Sequence, residues 1–511
     1  MNVVYIPLDE RPCNYHFAAK IANGSGVRVI CPEPSALGDK KQSASFELLR
    51  DFMLENAVEA DSYVVSLDML LYGGIVPSRL HHLSKDELCE RLAVLDNIKA
   101  LNPKVKIYAF ALIMRCPRYS SSDEEPDYYE YCGREIFLTG QVKHKLQLGL
   151  IDDNEAEKQL LEYSATINGN LEDYENRRRI NRDMLIRVVE MLHGSIDYLI
   201  IPQDDSAEYG YTSMDREAIK LELKRGGLDD VAMYPGADEV GMTLLARAAI
   251  EYKGITPKIF CEFANENCPN IVPLYEDRPL GKTLPFQISS AGCVRTDSYE
   301  NSDIVLYLNY PAFDPVEVWQ EKSAGYDKRD LKRFAKKIKE SVECGKVTAL
   351  ADGAYCNGGD REFLTLLNGE MDLLRLSAYA GWNTSSNTLG TVICQAVFVF
   401  LFGDNEHQQR FLAERIYEDV GYCGYARAYV TNNLLEGMGY NYFNAGERDG
   451  EVADAVRRVL DEYIGNSFPN IADRYYILKC QMPWKRMFEV DLTLKEKSNL
   501  YNVAEFFSKL D

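Results

Sequence analysis

The stretch from Asp197 to Glu239 constrains the fold of this chain more than any other. Two short apolar runs, Tyr198–Ile201 and Val231–Tyr234, flank a Glu-, Lys- and Leu-rich segment, Met214–Lys224, which Gly226-Gly227 closes. The runs have strand length and composition, and the segment between them has the composition of a helix. A strand–helix–strand unit makes its two strands parallel neighbours. Each strand runs into adjacent carboxylates, Asp204-Asp205 and Asp238-Glu239. Proteins of this class build their sites at the carboxyl ends of parallel strands. Any one of these acids also suits a helix cap or a turn. Two adjacent pairs on consecutive strands point to a site, because four carboxylates on one rim repel unless a substrate, a cation or an arginine compensates them.

The same pattern recurs along the chain. Val3–Leu8, Val27–Cys31, Ser62–Leu67 and Val105–Met114 read as strands, and they deliver Asp9 and Arg11, Asp68, and Arg115 to their carboxyl ends. Tyr72-Gly73-Gly74 lets the backbone approach a ligand, with Arg79 as a donor; a glycine turn into the next helix reads equally well. Residues 120–185 are acidic, Tyr-rich and helical, a lid-like excursion whose Arg177-Arg178-Arg179 reads as a solvated face paired to acids. Lys258–Phe263, Ile304–Asn309, Val347–Leu350 and Leu373–Ala378 continue the strands. The loop Gly381-Trp-Asn-Thr384 offers Trp382 to stack on a sugar face and Asn383 to bind hydroxyls, or else a helix cap with a core tryptophan. The expected fold class is α/β: a (β/α) barrel-like domain, complete or distorted, over 1–255, a second α/β domain over 256–395, and a mostly helical region over 396–511. A doubly wound open sheet fits the first domain nearly as well. In the last region Trp484-Lys485-Arg486 is a candidate contact with a partner subunit, a homo-oligomer being one arrangement the chain allows.

Composition narrows the function. With 511 residues and a net charge of -22, the chain lacks the basic face that nucleic acid or an anionic membrane would need. The best membrane-spanning candidate, Val392–Phe402, is too short, and no secretion signal opens the sequence, so a cytoplasmic protein is expected. Its 13 cysteines form no C-x-x-C pair and its six histidines no H-x-x-x-H spacing, so a transition-metal site is not expected and no cofactor is called for. Dinucleotide and Walker glycine patterns and a Gly-x-Ser-x-Gly elbow are absent. With 33 tyrosines against three tryptophans, an aromatic platform would be built from Tyr.

Pro7-Leu-Asp-Glu-Arg-Pro12, Ser66-Leu-Asp-Met-Leu-Leu-Tyr-Gly-Gly74, Gln203-Asp-Asp205, Gly236-Ala-Asp-Glu239 and Ala380-Gly-Trp-Asn-Thr384 together resemble a bacterial family known as domain of unknown function 4127, over nearly the whole chain. More locally, Gly236-Ala-Asp-Glu239 is similar to the Gly-Gly-Asp-Glu of β-N-acetylhexosaminidases, with Tyr234 where those enzymes often carry histidine. Asp204-Asp205 is similar to the Asp-Asp pair of O-GlcNAcase-type enzymes. Both likenesses imply a rim where one acid donates a proton and its neighbour holds the N-acetyl group of a small carbohydrate substrate. The expectation is a glycoside hydrolase with Glu239 as acid and Asp238 as partner, Asp204 and Asp205 being the alternative pair. Asp9, Arg11, Asp68, Tyr72, Arg79, Arg115, Trp382 and Asn383 would bind substrate. A metal-dependent phosphoryl or sulfuryl ester hydrolase, using the same aspartates as ligands, and a non-catalytic sugar-binding protein are the other readings.

Overall fold

The computed structural model describes residues 1–228, 231–320 and 328–497. Asp230, at the head of the expected strand Val231–Tyr234, and the end of the C-terminal region, 498–511, lie outside them. The first sheet is built from β1 (Asn2–Ile6), β2 (Arg28–Ile30), β3 (Ser62–Ser66), β4 (Lys106–Phe110) and β5 (Tyr198–Ile200). Its order is β2-β1-β3-β4-β5, and every pair is parallel. Residues 232–235 extend it beyond β5 through isolated parallel bridges, Ile200 to Ala232 and Gln203 to Pro235. The strand interiors are continuous apolar runs, such as Val3-Val-Tyr-Ile6 and Tyr63-Val-Val65, because helices cover both faces.

The second sheet comprises β6 (Lys258–Phe263), β7 (Val294–Thr296), β8 (Ile304–Asn309), β9 (Val347–Asp352) and β10 (Ala378–Ala380), again all parallel. Read from β7, its order is β7-β6-β8-β9-β10, the same winding as the first sheet. The topology is therefore duplicated although the sequence shows no repeat. In each half the first strand sits between the second and the third, so the winding reverses direction there and the sheet stays open. The expected barrel does not form: no closed sheet is present among the described residues.

The two halves meet through a helical layer. The helix Val240–Lys253 packs on β3 and β4, the helix Ser385–Phe402 packs on β8, β9 and β10, and the two helices pack on each other. Ser385–Phe402 starts seven residues before the apolar run read from sequence. Its 18 residues are long and apolar enough to cross a membrane, yet 83% of them are buried inside the protein, where they form its core. The helices approach closely at Gly390, where a Cβ would stand 2.3 Å from Glu239 Cγ. Gly390→Val is accordingly expected to cost about 1–3 kcal/mol of unfolding free energy through overpacking. Urea denaturation reads this directly, and an unchanged midpoint would contradict the contact.

Three helices, Tyr129–Gln147, Asp153–Ile167 and Asn170–Glu190, form the expected excursion. Its arginine run is not a solvated face. Arg178 is buried, bonded to Asp215 at 2.6 Å and to the carbonyls of Met114 and Arg115 at 2.8 Å, so it pins the excursion to the chain beyond β4. Arg177 is also buried and pairs with Asp173, and only Arg179 faces solvent. The C-terminal region is helical, with an 11-residue π-helix at Ile416–Ala426. It also contains an antiparallel hairpin of β11 (Tyr475–Gln481) and β12 (Asp491–Glu496).

Candidate functional site

The carboxyl ends of both sheets open onto a shared cavity of about 220 Å3. From β1, Asp9 and Arg11 turn inward and are buried. Arg11 Nη2 donates to Asp9 Oδ2 and to Asp238 Oδ1, each at 2.6 Å. Asn14 Nδ2 donates to Asp9 and Asp238 at 2.9 Å, and Asn383 Nδ2 donates to Asp238 Oδ2 at 3.3 Å. Asp238 lines the cavity with both oxygens engaged, and burial raises its pKa despite Arg11. The Arg11 guanidinium lies 4.7 Å from the centre of the Trp484 ring.

The second group surrounds Asp204 and Asp205, which follow β5. Arg79 Nη2 holds Asp204 Oδ2 at 2.7 Å, and Arg115 Nη1 holds Asp205 Oδ2 at 3.1 Å. Both arginines reach back to Glu124 and Glu125 of the excursion, and Arg486 clamps Asp123 and Glu124 from the C-terminal side. The cavity wall thus alternates acids with guanidiniums, the compensation that such a rim requires. The two aspartates are not equivalent. Burial, then the charge of Asp204, pushes the Asp205 carboxyl up against the opposing pull of Arg115. A quarter of the Asp205 side chain stays open to the cavity, against 13% for Asp204.

Several sequence-derived candidates stand apart from the cavity. Glu239 lies behind Asp238, fully buried, accepting from the Ala237 amide at 3.0 Å and from Gln287 Nε2 at 3.2 Å. Burial raises its pKa to about 7. Asp68 is buried at the end of β3 and accepts the Leu112 amide at 2.9 Å, with its pKa raised to about 7 by burial. Tyr72 stacks on His81 at 4.6 Å. Asp9 acts on the cavity through Arg11 and through Asn14, which both bond the cavity-lining Asp238. Trp382 is not a sugar platform: its ring packs edge-on against Phe17 in the core and donates to Thr391, because the loop that carries it caps the buried helix. Arg11, Arg79, Arg115, Asn383, Asp204, Asp205 and Asp238 do line the cavity. Trp484 and Arg486, read as a subunit contact, are buried, and Arg486 lines the cavity.

Other lining residues escaped the sequence reading. Tyr275 and Glu276 come from the loop after β6, Asn357 from the loop after β9, and Asn387 from the start of the central helix. Glu276 Oε1 accepts from both the amide and the hydroxyl of Ser386 at 2.9 Å, and burial pushes its carboxyl up to about 8. Its Oε2 has no partner, nor do Asn357 Oδ1, Asn387 Oδ1 and Glu125 Oε2. The sequence did hold a weak signal for Glu276: Glu276-Asp277 is another adjacent acid pair, but it lies far beyond a strand end. The backbone is strained here as well. Asp205, Tyr275, Asn357 and Asn383 line the cavity with φ between 35° and 66°, and Trp484 and Lys485 beside it have φ of 51° and 54°. Left-handed non-glycine residues gather at functional sites because the surrounding fold must hold them there. Among the described residues, no three His, Cys, Asp or Glu side chains are grouped to hold a metal ion. Asp9 and Asp238 are instead joined through Arg11 and Asn14, Asp204 is held by Arg79, and Asp68 accepts the Leu112 amide.

A family model described as "Protein of unknown function (DUF4127)" matches residues 3–493. No curated protein and no solved structure matches the chain.

Proposed function

The chain belongs to this family of proteins of unknown function, and from its site we propose that it is a glycoside hydrolase acting on a small glycoside, with Asp205 as proton donor and Asp204 as the carboxylate that stabilises the developing positive charge. Glycoside cleavage needs one carboxyl that keeps its proton and one that stays charged. The observation that carries the reading is the unequal setting of these two neighbours in one cavity. Arg79 holds Asp204 at 2.7 Å, closer than the 3.1 Å at which Arg115 holds Asp205, and burial with the Asp204 charge favours the protonated form of Asp205 against that pull. Asp238, fixed by Arg11, Asn14 and Asn383, suits a hydroxyl-binding role beside them. Tyr119, Tyr275 and Tyr442 supply aromatic wall, in line with a Tyr-rich chain. At about 220 Å3 the cavity falls below the ~300–1,000 Å3 usual for drug-sized ligands, which favours a small polar substrate.

A panel of chromogenic glycosides, run with and without EDTA, tests the reading. Cleavage of at least one glycoside, unchanged by the chelator, is expected. If every glycoside stays intact while phosphate or sulfate esters are cleaved in a chelator-sensitive way, the proposal falls.

A further inference from the structure

Glu276, Asn357 and Asn387 form a polar set in the cavity wall that the acid pair does not use. All three are at least nine-tenths buried, and each carries an oxygen without a partner. A polar atom left unpaired in such a place costs about 1–3 kcal/mol, and a ligand entering the cavity that all three line would recover that cost by supplying the missing bonds. The polarity of two of the groups, Asn357 and Glu276, follows from their neighbours. Asn357 Nδ2 donates to Glu317 at 2.8 Å, which fixes the amide orientation and leaves Oδ1 as an acceptor. Ser386 donates twice to Glu276 Oε1, so a proton on this carboxyl resides on Oε2 and makes that atom a donor. A donor and amide acceptors lining one cavity are complementary to a ligand offering one carbonyl and one N–H or O–H, the pattern of a secondary amide.

We propose that Glu276 donates a hydrogen bond to the carbonyl of an N-acyl group on the substrate while Asn387 and Asn357 accept from its N–H and a neighbouring hydroxyl, so that the cavity selects N-acylated amino sugars. This subsite rests on the glycoside reading for its place in a reaction, but not for its ability to bind. Glu276 keeps its proton at neutral pH because burial raises it to about 8, with Glu239 and Asp277 adding to the rise. Asp277 is itself held by Arg216 and Arg278, and Tyr310 and Cys356, the other titratable neighbours, are both raised by burial. Glu239, raised to about 7, is the neighbour that titrates in the same range.

The test is calorimetric titration of the full chain with N-acetylglucosamine and with glucose from pH 6 to 9, neither sugar titrating in that range. The wild type is expected to bind N-acetylglucosamine at least ~10-fold more tightly than glucose and to lose the difference as the pH rises past about 8. Glu276→Gln, whose amide keeps both the acceptor for Ser386 and a donor, should keep the preference and lose its pH dependence. A fall caused by Glu239 would survive in that variant and so overturn the assignment. Glu276→Ala should bind the two sugars alike, with its fold checked by thermal melting. Equal binding of both sugars by the wild type, or a folded Glu276→Ala that still discriminates, would overturn the proposal. So would a folded Glu276→Gln that retains binding but loses turnover, which would make Glu276 the proton donor. Discrimination without cleavage of any glycoside would leave the subsite standing and remove the hydrolase reading; cleavage without discrimination would do the reverse.

Discussion

Asp205→Asn is expected to lower kcat for a cleaved glycoside by ~10^2–10^4-fold, the usual worth of a positioned proton donor, with the unfolding midpoint close to wild type. The substitution is mild for the fold. Asp205 sits at φ 35°, a left-handed conformation that asparagine tolerates as well as aspartate does. Arg115 also keeps Glu124 and Glu125 after the exchange. The pH profile supplies a second readout. A donor works only while protonated, so wild-type activity falls as the pH rises past the elevated pKa of Asp205, and that limb disappears from the residual activity of the variant. Substrates with good leaving groups need less proton donation and should be the least affected. A variant that turns over every substrate at wild-type rates would remove Asp205 from the chemistry.

The largest stability effect is expected at Arg79. Its side chain is 2% exposed and serves Asp204, Glu124 and Glu125 at once. Arg79→Met fills similar space but leaves Asp204 without its cation, and leaves Glu124 and Glu125 with only Arg115 and Arg486. Breaking a buried ion pair from one side costs about 3–5 kcal/mol, because the remaining charge stays desolvated. Urea unfolding at pH 7 should show this loss. The deficit should shrink as the pH is lowered, since protonation removes the uncompensated charge from the folded state before it does so in the unfolded chain. A loss below about 1 kcal/mol, typical of surface pairs, would mean that water reaches the cluster freely.

The sequence revealed the scaffold better than the pocket. Continuous apolar runs marked the central strands, and Ile304–Asn309 and Lys258–Phe263 form as read, since buried parallel strands leave no polar alternation to confuse the pattern. Val294–Thr296, three residues at a sheet edge, is too short and exposed to register, and Tyr475–Gln481 carries a register shift that blurs its period. The barrel was expected because acids recur after successive strands. Strand order, which decides between a barrel and an open sheet, depends on which side of β1 the second strand joins, and no residue pattern encodes that choice. Asp204, Asp205 and Asp238 were legible as rim acids because they follow strands directly. Glu276 was hidden in a long loop, and of the two readings of Trp382 the core tryptophan beside a helix cap holds and the sugar platform does not, a choice that composition cannot make because it does not say which way a ring faces. The left-handed backbone of Tyr275 and Trp484 had no signal at all, since neither residue type favours it.

The cavity takes residues from Arg11 near one end of the chain and from Arg486 and Phe488 near the other. During translation, therefore, the first sheet can form long before there is a pocket. The apolar face of Val240–Lys253 is covered only once Ser385–Phe402 has been made, and the pocket only once the chain has run on from Phe402 to the segment that carries Arg486. A nascent or prematurely stopped chain thus carries the acids without the enclosed cavity around them.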